Sequence, residues 1–199
     1  MSLKGNWASL EDFATLFQYF WYRDFPIDPI STGAKRIDWT IHIGIVIRNI
    51  ADLMGFVTRF ERGGRKDAVL RSAYGDEIAV EWEWEGIQDN ELKKLKDPHK
   101  IWIKDEGREK LLKYAVLVTY TPTPNIEKDC NHVTEKWEGA QWPLLLILID
   151  SDESKEFSSG KYFKNIQMCR FDKNGHSELR LAPAFPWKVS GTRWYEERE

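Results

Sequence analysis

Acidic side chains alternate along one segment of the chain and have the chemistry to bind a divalent cation. Glu81, Glu83 and Glu85 occupy every second position in a segment that follows Asp67. Side chains of a β-strand alternate between its two faces, so the three glutamates would project from one face. Like charges this close repel each other. Such a face is therefore either the fully solvated face of an edge strand or a site neutralised by a cation with hard oxygen ligands.

The partners of these acids depend on the register of a β-hairpin predicted for residues 67–85. A tight two-residue turn would place Asp67 opposite Trp84, whereas a longer loop places it opposite Glu83 or Glu85 and turns every side chain over. We favour the longer loop, because apolar residues of both strands then share one face. That face would hold Ala68, Leu70, Tyr74, Ile78, Val80, Trp82 and Trp84, with Asp67, Arg71 and the glutamates on the other.

Length and composition predict one globular domain over residues 1–199. Its parts are an N-terminal helical segment (1–30), a sheet core (about 38–181) and an aromatic C-terminal tail (182–199). The chain is 42% hydrophobic and 31% charged, with a net charge of -3. That charge gives no global attraction to nucleic acid, so any such binding needs local basic patches.

The cysteine content and the length of the apolar runs indicate the cellular compartment of the protein. Two cysteines in a chain of this size give no disulfide framework. We find no signal peptide and no apolar run long enough to span a bilayer, which predicts a cytoplasmic protein without membrane contact. The longest apolar run, residues 142–149, is predicted to be a buried strand. The ten tryptophans suit either a thick core or a ligand platform.

The order of elements predicts an α/β (or α+β) fold with a mixed central β-sheet flanked by helices. Helices are predicted at residues 8–22, 38–54, 89–96, about 105–113 and 126–139. Strands are predicted at 56–61, in the hairpin, and at 114–120, 144–149, 161–171 and 178–181. The β-branched core of the second helix fits a strand equally well.

This order, together with Asp67 and the segment Glu81-Trp82-Glu83, resembles the restriction-endonuclease-like PD-(D/E)xK superfamily over approximately residues 38–150. The signature of that family is an acid at a strand start followed by (D/E)-x-K on the next strand. The resemblance implies a restriction-endonuclease-like sheet in which Asp67 and Glu81 bind Mg²⁺ or Mn²⁺. Glu83 would then stand in the lysine place, as a residue that positions or deprotonates the attacking water.

Two positions depart from the family pattern. Lys66 stands where the signature has proline, and Glu83 stands where lysine is usual, although some members use glutamate there. The frame Glu83-Trp84-Glu85 fits the pattern as well, and the sequence leaves the choice between the two frames open.

The resemblance implies a Mg²⁺-dependent endonuclease that acts on DNA or RNA. Lys66, Arg65 and Arg71 lie close to the acids in sequence and are the predicted contacts to phosphates. The aromatic tail packs on the core or covers a second subunit, so a homodimer is a candidate partner. The alternative is a non-catalytic domain that binds a protein or ligand through a tryptophan-rich surface; the tryptophans alone would also suit a carbohydrate-binding module.

The other motifs in the sequence give weaker indications of function. Cys130 and His132 are close in sequence, but their neighbourhood forms no recognised catalytic pattern. The four histidines are too scattered for a zinc site. Gly63-Gly64 lacks the spacing of a phosphate-binding loop and is predicted to be a turn. The lysine-rich stretch from Lys93 to Lys104 is typical of the wet face of a helix.

Overall fold

The computed structural model describes residues 8–26, 36–84, 86–122, 125–151, 163–191 and 195. The helices of these residues are α1 (Leu10–Arg23), α2 (Arg36–Leu53), α3 (Asp89–Lys96) and α4 (Ile126–Trp137). The strands are β1 (Val57–Arg62), β2 (Lys66–Arg71), β3 (Asp76–Glu83), β4 (Tyr114–Pro122), β5 (Leu144–Ser151), β6 (Phe163–Asp172) and β7 (Gly175–Pro183). Short 3-10 turns lie at Pro98–Lys100 and Pro186–Lys188.

The seven strands form one mixed sheet in chain order, from β1 at one edge to β7 at the other. Strands β1, β2 and β3 form an antiparallel meander, β3, β4 and β5 are parallel, and β6 and β7 continue antiparallel. Parallel neighbours need a crossover connection, which α3 and α4 provide. The predicted α/β fold with a mixed sheet flanked by helices is thus confirmed.

Helices cover both faces of the sheet. On one face α1 and α2 pack against alternate strand residues such as Leu70, Val80 and Val118. On the other face α3 and α4 pack against the residues between them, such as Ala79 and Leu117. Strands covered on both faces read as continuous apolar runs. The predicted buried strand is accordingly β5, whose residues 144–149 are all fully buried.

Local sequence fixes the start of α1. The Asp12 amide donates to the Ser9 hydroxyl at 3.0 Å, and the Ser9 amide donates to the Asp12 carboxylate at 3.3 Å. This reciprocal pair is a capping box, which satisfies amides that have no partner within the helix. Phe13, Phe17 and Trp21 then recur at helical spacing and are fully buried, which confirms the predicted first helix.

The second predicted element is a helix and not a strand. Residues Ile43 and Ile47 of α2 lie on the sheet and are buried. Ile37, Ile41 and Ile45 point away from it and are 64%, 55% and 45% exposed. Helices with apolar residues all round are usually buried on every side. The exposed stripe of α2 is therefore unusual for a surface helix. Within the described ranges no helix is long and apolar enough to cross a lipid bilayer.

The prediction of a helix at residues 105–113 is wrong, because these residues form turns and extended chain. The Gly107 amide donates to the Asp105 side chain at 3.0 Å, a local bond that competes with helix formation. The Lys113 amide donates to the Glu77 carbonyl at 2.8 Å, and the Arg108 guanidinium lies 3.4 Å from the Glu77 carboxylate. Contacts with the start of β3 therefore hold this segment extended.

The β2–β3 hairpin decides which acids meet. Residues 72–75 connect the strands, and the register shifts at a bulge before Arg71. Ala68 pairs with Val80, which places Asp67 opposite Glu81 at the next position. The prediction that Asp67 lies opposite Glu83 or Glu85 is wrong, because its partner Glu81 lies two or four residues earlier in the chain.

The predicted division of the hairpin into two faces holds for most of its residues. Ala68, Leu70, Ile78 and Val80 all lie in the core beneath α1 and α2. Tyr74 does not join them, because it lies in the connection and is 70% exposed.

Candidate functional site

The site begins with two acids on neighbouring strands. Asp67 near the start of β2 and Glu81 near the end of β3 face each other on the side of the sheet that α3 covers. The Trp82 amide donates to Oδ2 of Asp67 at 2.8 Å. This bond fixes the Asp67 carboxylate against the neighbouring strand, next to the residue that precedes Trp82, which is Glu81.

Helix α3 adds a third acid and a cation to this pair. Nζ of Lys94 lies 3.5 Å from Oε2 of Glu81 and 2.6 Å from Oε2 of Glu91. The Glu91 carboxyl lies beside that of Glu81 and raises its pKa. Lys94 is thus shared between two acids.

Burial makes Glu81 the most perturbed acid of the site. Its side chain is only 1% exposed, and Oε1 is buried without a hydrogen-bond partner in the described part of the chain. Burial and the neighbouring carboxyls of Glu91 and Asp67 raise the pKa of Glu81 to about 9. Burial is the largest cause of this shift, and the charge of Lys94 opposes it.

Asp67 is perturbed in the same direction but less strongly. Burial raises its pKa to about 6, while the Trp82 amide and the charge of Lys94 oppose that rise. Two neighbouring carboxyls with raised pKa values are a recognised mark of functional sites, although structural networks also produce them.

Lys66 lies inside the protein beside the acids. Its side chain is 1% exposed, and its ammonium donates to the Gly63 carbonyl at 2.6 Å. Burial lowers the pKa of Lys66, whereas the charge of Glu81 counteracts that effect. The predicted phosphate contact at this position is therefore turned inward and engaged by the Gly63 carbonyl.

Two other predicted site residues, Glu83 and Arg71, have partners outside the Asp67–Glu81 pair. Glu83 accepts a hydrogen bond from the Trp84 amide at 2.7 Å and lies 3.9 Å from Arg36 at the start of α2. Arg71 pairs with buried Asp76 at 2.7 Å, so its charge is engaged within the fold.

Two further positions complete the predicted set. Arg65 is exposed in the β1–β2 turn, where it adopts a positive φ of 67°. Glu85, the last acid of the alternative frame, lies outside the described residues.

Sequence reasoning missed Glu91 and Lys94. Lys94 belongs to the lysine-rich stretch interpreted as the wet face of a helix, and Glu91 lies just before that stretch. The available signal was their spacing, since residues three apart on a helix are neighbours and this helix directly follows the acidic strand. Only the position of α3 over the end of β3 shows that the pair reaches Glu81.

The site lies at the carboxyl ends of the parallel strands, where ligands commonly bind in open α/β sheets. Thr119 of β4 is paired with Glu83, and Thr121 is paired with Asp150 of β5. These buried polar residues follow apolar ones along each strand and lie on the face of the sheet that also carries the acids. Oγ1 of Thr119 is buried there without a hydrogen-bond partner in the described part of the chain.

The donor atoms suit a hard cation. Among the residues that the structure describes, no three His, Cys, Asp or Glu side chains converge tightly enough to form a metal cage. Mg²⁺ does not require such a cage, because proteins commonly hold it with one or two carboxylates, with water and substrate phosphate completing the shell. Asp67 and Glu81 with its orphaned Oε1 fit that kind of site.

Comparison of the chain with family models, with curated proteins and with solved structures finds no match.

Proposed function

We propose that this protein is a cytoplasmic, Mg²⁺- or Mn²⁺-dependent hydrolase of phosphodiester bonds in nucleic acid, with Asp67 and Glu81 as the metal ligands. One observation carries the proposal. The Glu81 carboxyl is almost fully buried, faces Asp67 and Glu91, and has an oxygen without a partner. Burial of an acid without compensation costs free energy, and a bound cation would remove that cost.

The raised pKa values express the same deficit of positive charge. Burial and neighbouring acids favour the protonated form of Asp67 and Glu81. A divalent cation reverses this balance, because it favours the charged form of any carboxylate that binds it. Natural proteins retain such unfavourable arrangements chiefly at functional sites.

The residues around the pair have separate tasks in this proposal. A bound Mg²⁺ ion would supply activation of the nucleophilic water and stabilisation of charge on the phosphate. The Trp82 amide holds Asp67 in place, and Lys94 holds Glu91 beside Glu81. Lys94 is 29% exposed, so its ammonium can also donate to a water or phosphate oxygen that enters from solvent. Lys94 on α3 would then position the attacking water, a role that the resemblance implied for Glu83 on β3.

The element order supports a restriction-endonuclease-like core. Helix α2, the meander β1–β3, helix α3 and the parallel strand β4 follow one another as the resemblance implies. The two acids lie on adjacent strands of the meander, Asp67 near the start of β2 and Glu81 near the end of β3. The frame that begins at Glu81 is the one whose first acid lies beside Asp67.

Binding of the nucleic acid backbone needs a local patch, since the net charge of the chain is -3. Arg59, Arg62 and Arg65 are exposed on β1 and on its turn into β2. This turn leads directly into Asp67, so a phosphate backbone held by these arginines would pass the acid pair.

The direct test is cleavage of plasmid and single-stranded substrates in Mg²⁺ or Mn²⁺. Asp67→Asn and Glu81→Gln keep the side-chain shapes and are expected to lower the rate at least about 100-fold. Asp52→Asn is the matched control, because Asp52 is an exposed carboxylate on α2 in the opposite layer. Equal cleavage by all four proteins, or no cleavage by the native chain with either metal, would refute the hydrolase.

A non-catalytic binding domain is the second candidate, and the exposed stripe Ile37, Ile41 and Ile45 favours it. Large exposed apolar patches often mark protein interfaces. The tryptophans contribute less to the surface than expected, since Trp102 is the most exposed tryptophan in the described ranges, at 46%. Sedimentation of the native chain and of Ile41→Lys tests this candidate. A homodimer that the substitution dissociates would show that the stripe binds a second copy of the chain. A native chain that is already a monomer would exclude self-association.

A further inference from the structure

A buried threonine interrupts the apolar run of the central strand β4. Thr119 follows Leu117 and Val118 along the strand and is fully buried, as they are. Its Oγ1 has no hydrogen-bond partner among the residues that the structure describes. A buried hydroxyl without a partner costs free energy, whereas a valine side chain has nearly the same shape and avoids that cost. Packing alone therefore does not explain the hydroxyl.

A second threonine of β4 provides a comparison. Thr121 lies two residues further along the strand, on the same face as Thr119. This is the face that α3 and α4 cover, since Leu117 packs in the cluster beneath these helices. Oγ1 of Thr121 donates to Oδ2 of Asp129 on α4. Within the described ranges, the fold thus supplies a partner for the Thr121 hydroxyl and none for that of Thr119.

The register of β3 and β4 places Thr119 beside the acid pair. The two strands are parallel, with Leu117 next to Glu81 and Thr119 next to Glu83. Thr119 is therefore a diagonal neighbour of Glu81 on the same face of the sheet, and such neighbours lie roughly 7–8 Å apart. A glutamate side chain is long enough to bring its carboxyl within one water of the Thr119 hydroxyl, because two O–H···O bonds together span about 5.5 Å.

Two buried oxygens without partners thus lie on one face of two adjacent strands. Oε1 of Glu81 and Oγ1 of Thr119 both lack a hydrogen bond in the part of the chain that the structure describes. Their side chains are 1% and 0% exposed, so bulk solvent does not satisfy them. Buried polar groups of this kind are commonly satisfied by an ordered water, which typically makes about three hydrogen bonds.

We propose that Thr119 is a positioning residue of the acid site, whose hydroxyl holds a water in the shell of a divalent cation bound by Asp67 and Glu81. This role rests on the proposed metal site and adds to it a residue of β4, which the motif on β2 and β3 does not contain. Mg²⁺ usually keeps several of its waters in proteins. Oγ1 of Thr119 can accept a hydrogen bond from such a water. Removal of an outer-shell partner typically weakens metal binding about 10- to 100-fold.

The test compares two substitutions at this position in the full chain. Thr119→Val removes the hydroxyl and keeps the shape, whereas Thr119→Ser keeps the hydroxyl and removes a methyl group. Isothermal titration calorimetry with Mn²⁺ gives the Kd, and urea unfolding in EDTA gives the stability without metal. We expect Thr119→Val to raise the Kd about tenfold or more without loss of stability in EDTA. Thr119→Ser should keep a Kd close to the native value, although its urea midpoint falls.

Thr58→Val is the matched control. Oγ1 of Thr58 is also buried without a partner in the described residues, but Thr58 lies on the edge strand β1. It pairs with Leu70, which lies in the core beneath α1 and α2, on the opposite face from the acids. Thr58→Val should keep the native Kd. At about 100 times the native Kd, Mg²⁺ should raise the melting temperature of Thr119→Val only about half as much as that of Thr58→Val.

The outcomes separate the role of Thr119 from the metal site itself. If the native chain binds Mn²⁺, Asp67→Asn does not, and Thr119→Val binds as tightly as the native chain, the role of Thr119 is overturned and the metal site remains. Absence of binding by the native chain would overturn the metal site and the role of Thr119 together. A fall in the stability of Thr119→Val in EDTA would show that the hydroxyl already has a partner in the fold, which contradicts the proposed role.

Discussion

Asp67 and Glu81 face each other across the β2–β3 hairpin, and the Trp82 amide next to Glu81 donates to Oδ2 of Asp67 at 2.8 Å. One carboxylate of the pair is therefore fixed by a backbone donor, whereas the other keeps an oxygen without a partner in the described part of the chain. Lys94 is shared between Glu81 and Glu91. The burial of Glu81 among neighbouring acids is the source of most of the behaviour expected from the site.

The stability of the native chain should fall as pH rises, in proportion to the ionisation of Glu81. Its pKa is raised from 4.5 to about 9 in the folded protein. A raised pKa gives stability that is present below the unfolded value and is lost as pH rises through the folded value. Glu81→Gln should flatten this slope and be more stable than the native chain at pH ~8, by on the order of a few kcal/mol.

Urea unfolding at several pH values between about 5 and 9 measures that slope. Asp52→Asn serves as the control, because Asp52 is exposed and distant from the site. If the pH dependence of Glu81→Gln matches that of the control, the buried carboxyl does not titrate as the structure implies.

Divalent cations should stabilise the native chain through Asp67 and Glu81. A ligand that binds only the folded state raises the melting temperature, and Mg²⁺ at about 100 times its Kd should add roughly 5–10 °C. Differential scanning calorimetry with MgCl₂, compared with NaCl at equal ionic strength, separates binding from screening. Asp67→Asn should lose the shift and Asp52→Asn should keep it. An equal shift in both variants would place the cation elsewhere.

Lys94 should matter for both stability and cleavage. Its removal leaves Glu81 and Glu91 without the cation that contacts both, so Lys94→Gln should lower the free energy of unfolding by about 1–3 kcal/mol. Cleavage should fall about tenfold or more if the ammonium contacts a water or phosphate. Lys93→Gln is the matched control, since Lys93 is the neighbouring, exposed lysine of α3. Urea unfolding and initial cleavage rates should distinguish the two variants, and identical behaviour would exclude a role for Lys94.

His42 should limit stability in acid. It lies 4.6 Å, ring centre to ring centre, from Trp21, and burial lowers its pKa from 6.5 to about 4. A lowered histidine pKa gives stability that is present above the unfolded value and is lost as pH falls toward the folded value. The native chain should therefore lose about 3 kcal/mol between pH ~7 and ~4 from this residue.

His42→Phe removes the titrating group and keeps an aromatic ring, so its stability should be less sensitive to pH over that range. His99→Gln provides the comparison, because His99 is exposed. Thermal unfolding of the three proteins at pH ~7, ~5.5 and ~4 tests this expectation. An unchanged acid limb in His42→Phe would contradict it.

The sequence determined the pattern of elements, because local spacing carries that information. Apolar residues at helical intervals predicted α1, and the continuous apolar run at residues 144–149 predicted β5. Period-two alternation divided the hairpin correctly between the core and the face that holds the acids. Pattern failed at residues 105–113, where contacts with Glu77 override the local preference.

Tertiary structure alone decided which residues meet at the site. The partner of Asp67 depends on the length of the connection and on the bulge before Arg71, and neither leaves a signal in hydrophobic periodicity. The inward position of Lys66 depends on the turn that presents the Gly63 carbonyl, and the approach of Lys94 depends on how α3 lies over the sheet. Periodicity records which face of an element is buried, but the pairing of distant segments is fixed by packing and turn geometry, so the chemistry of this site emerges only when the layers assemble.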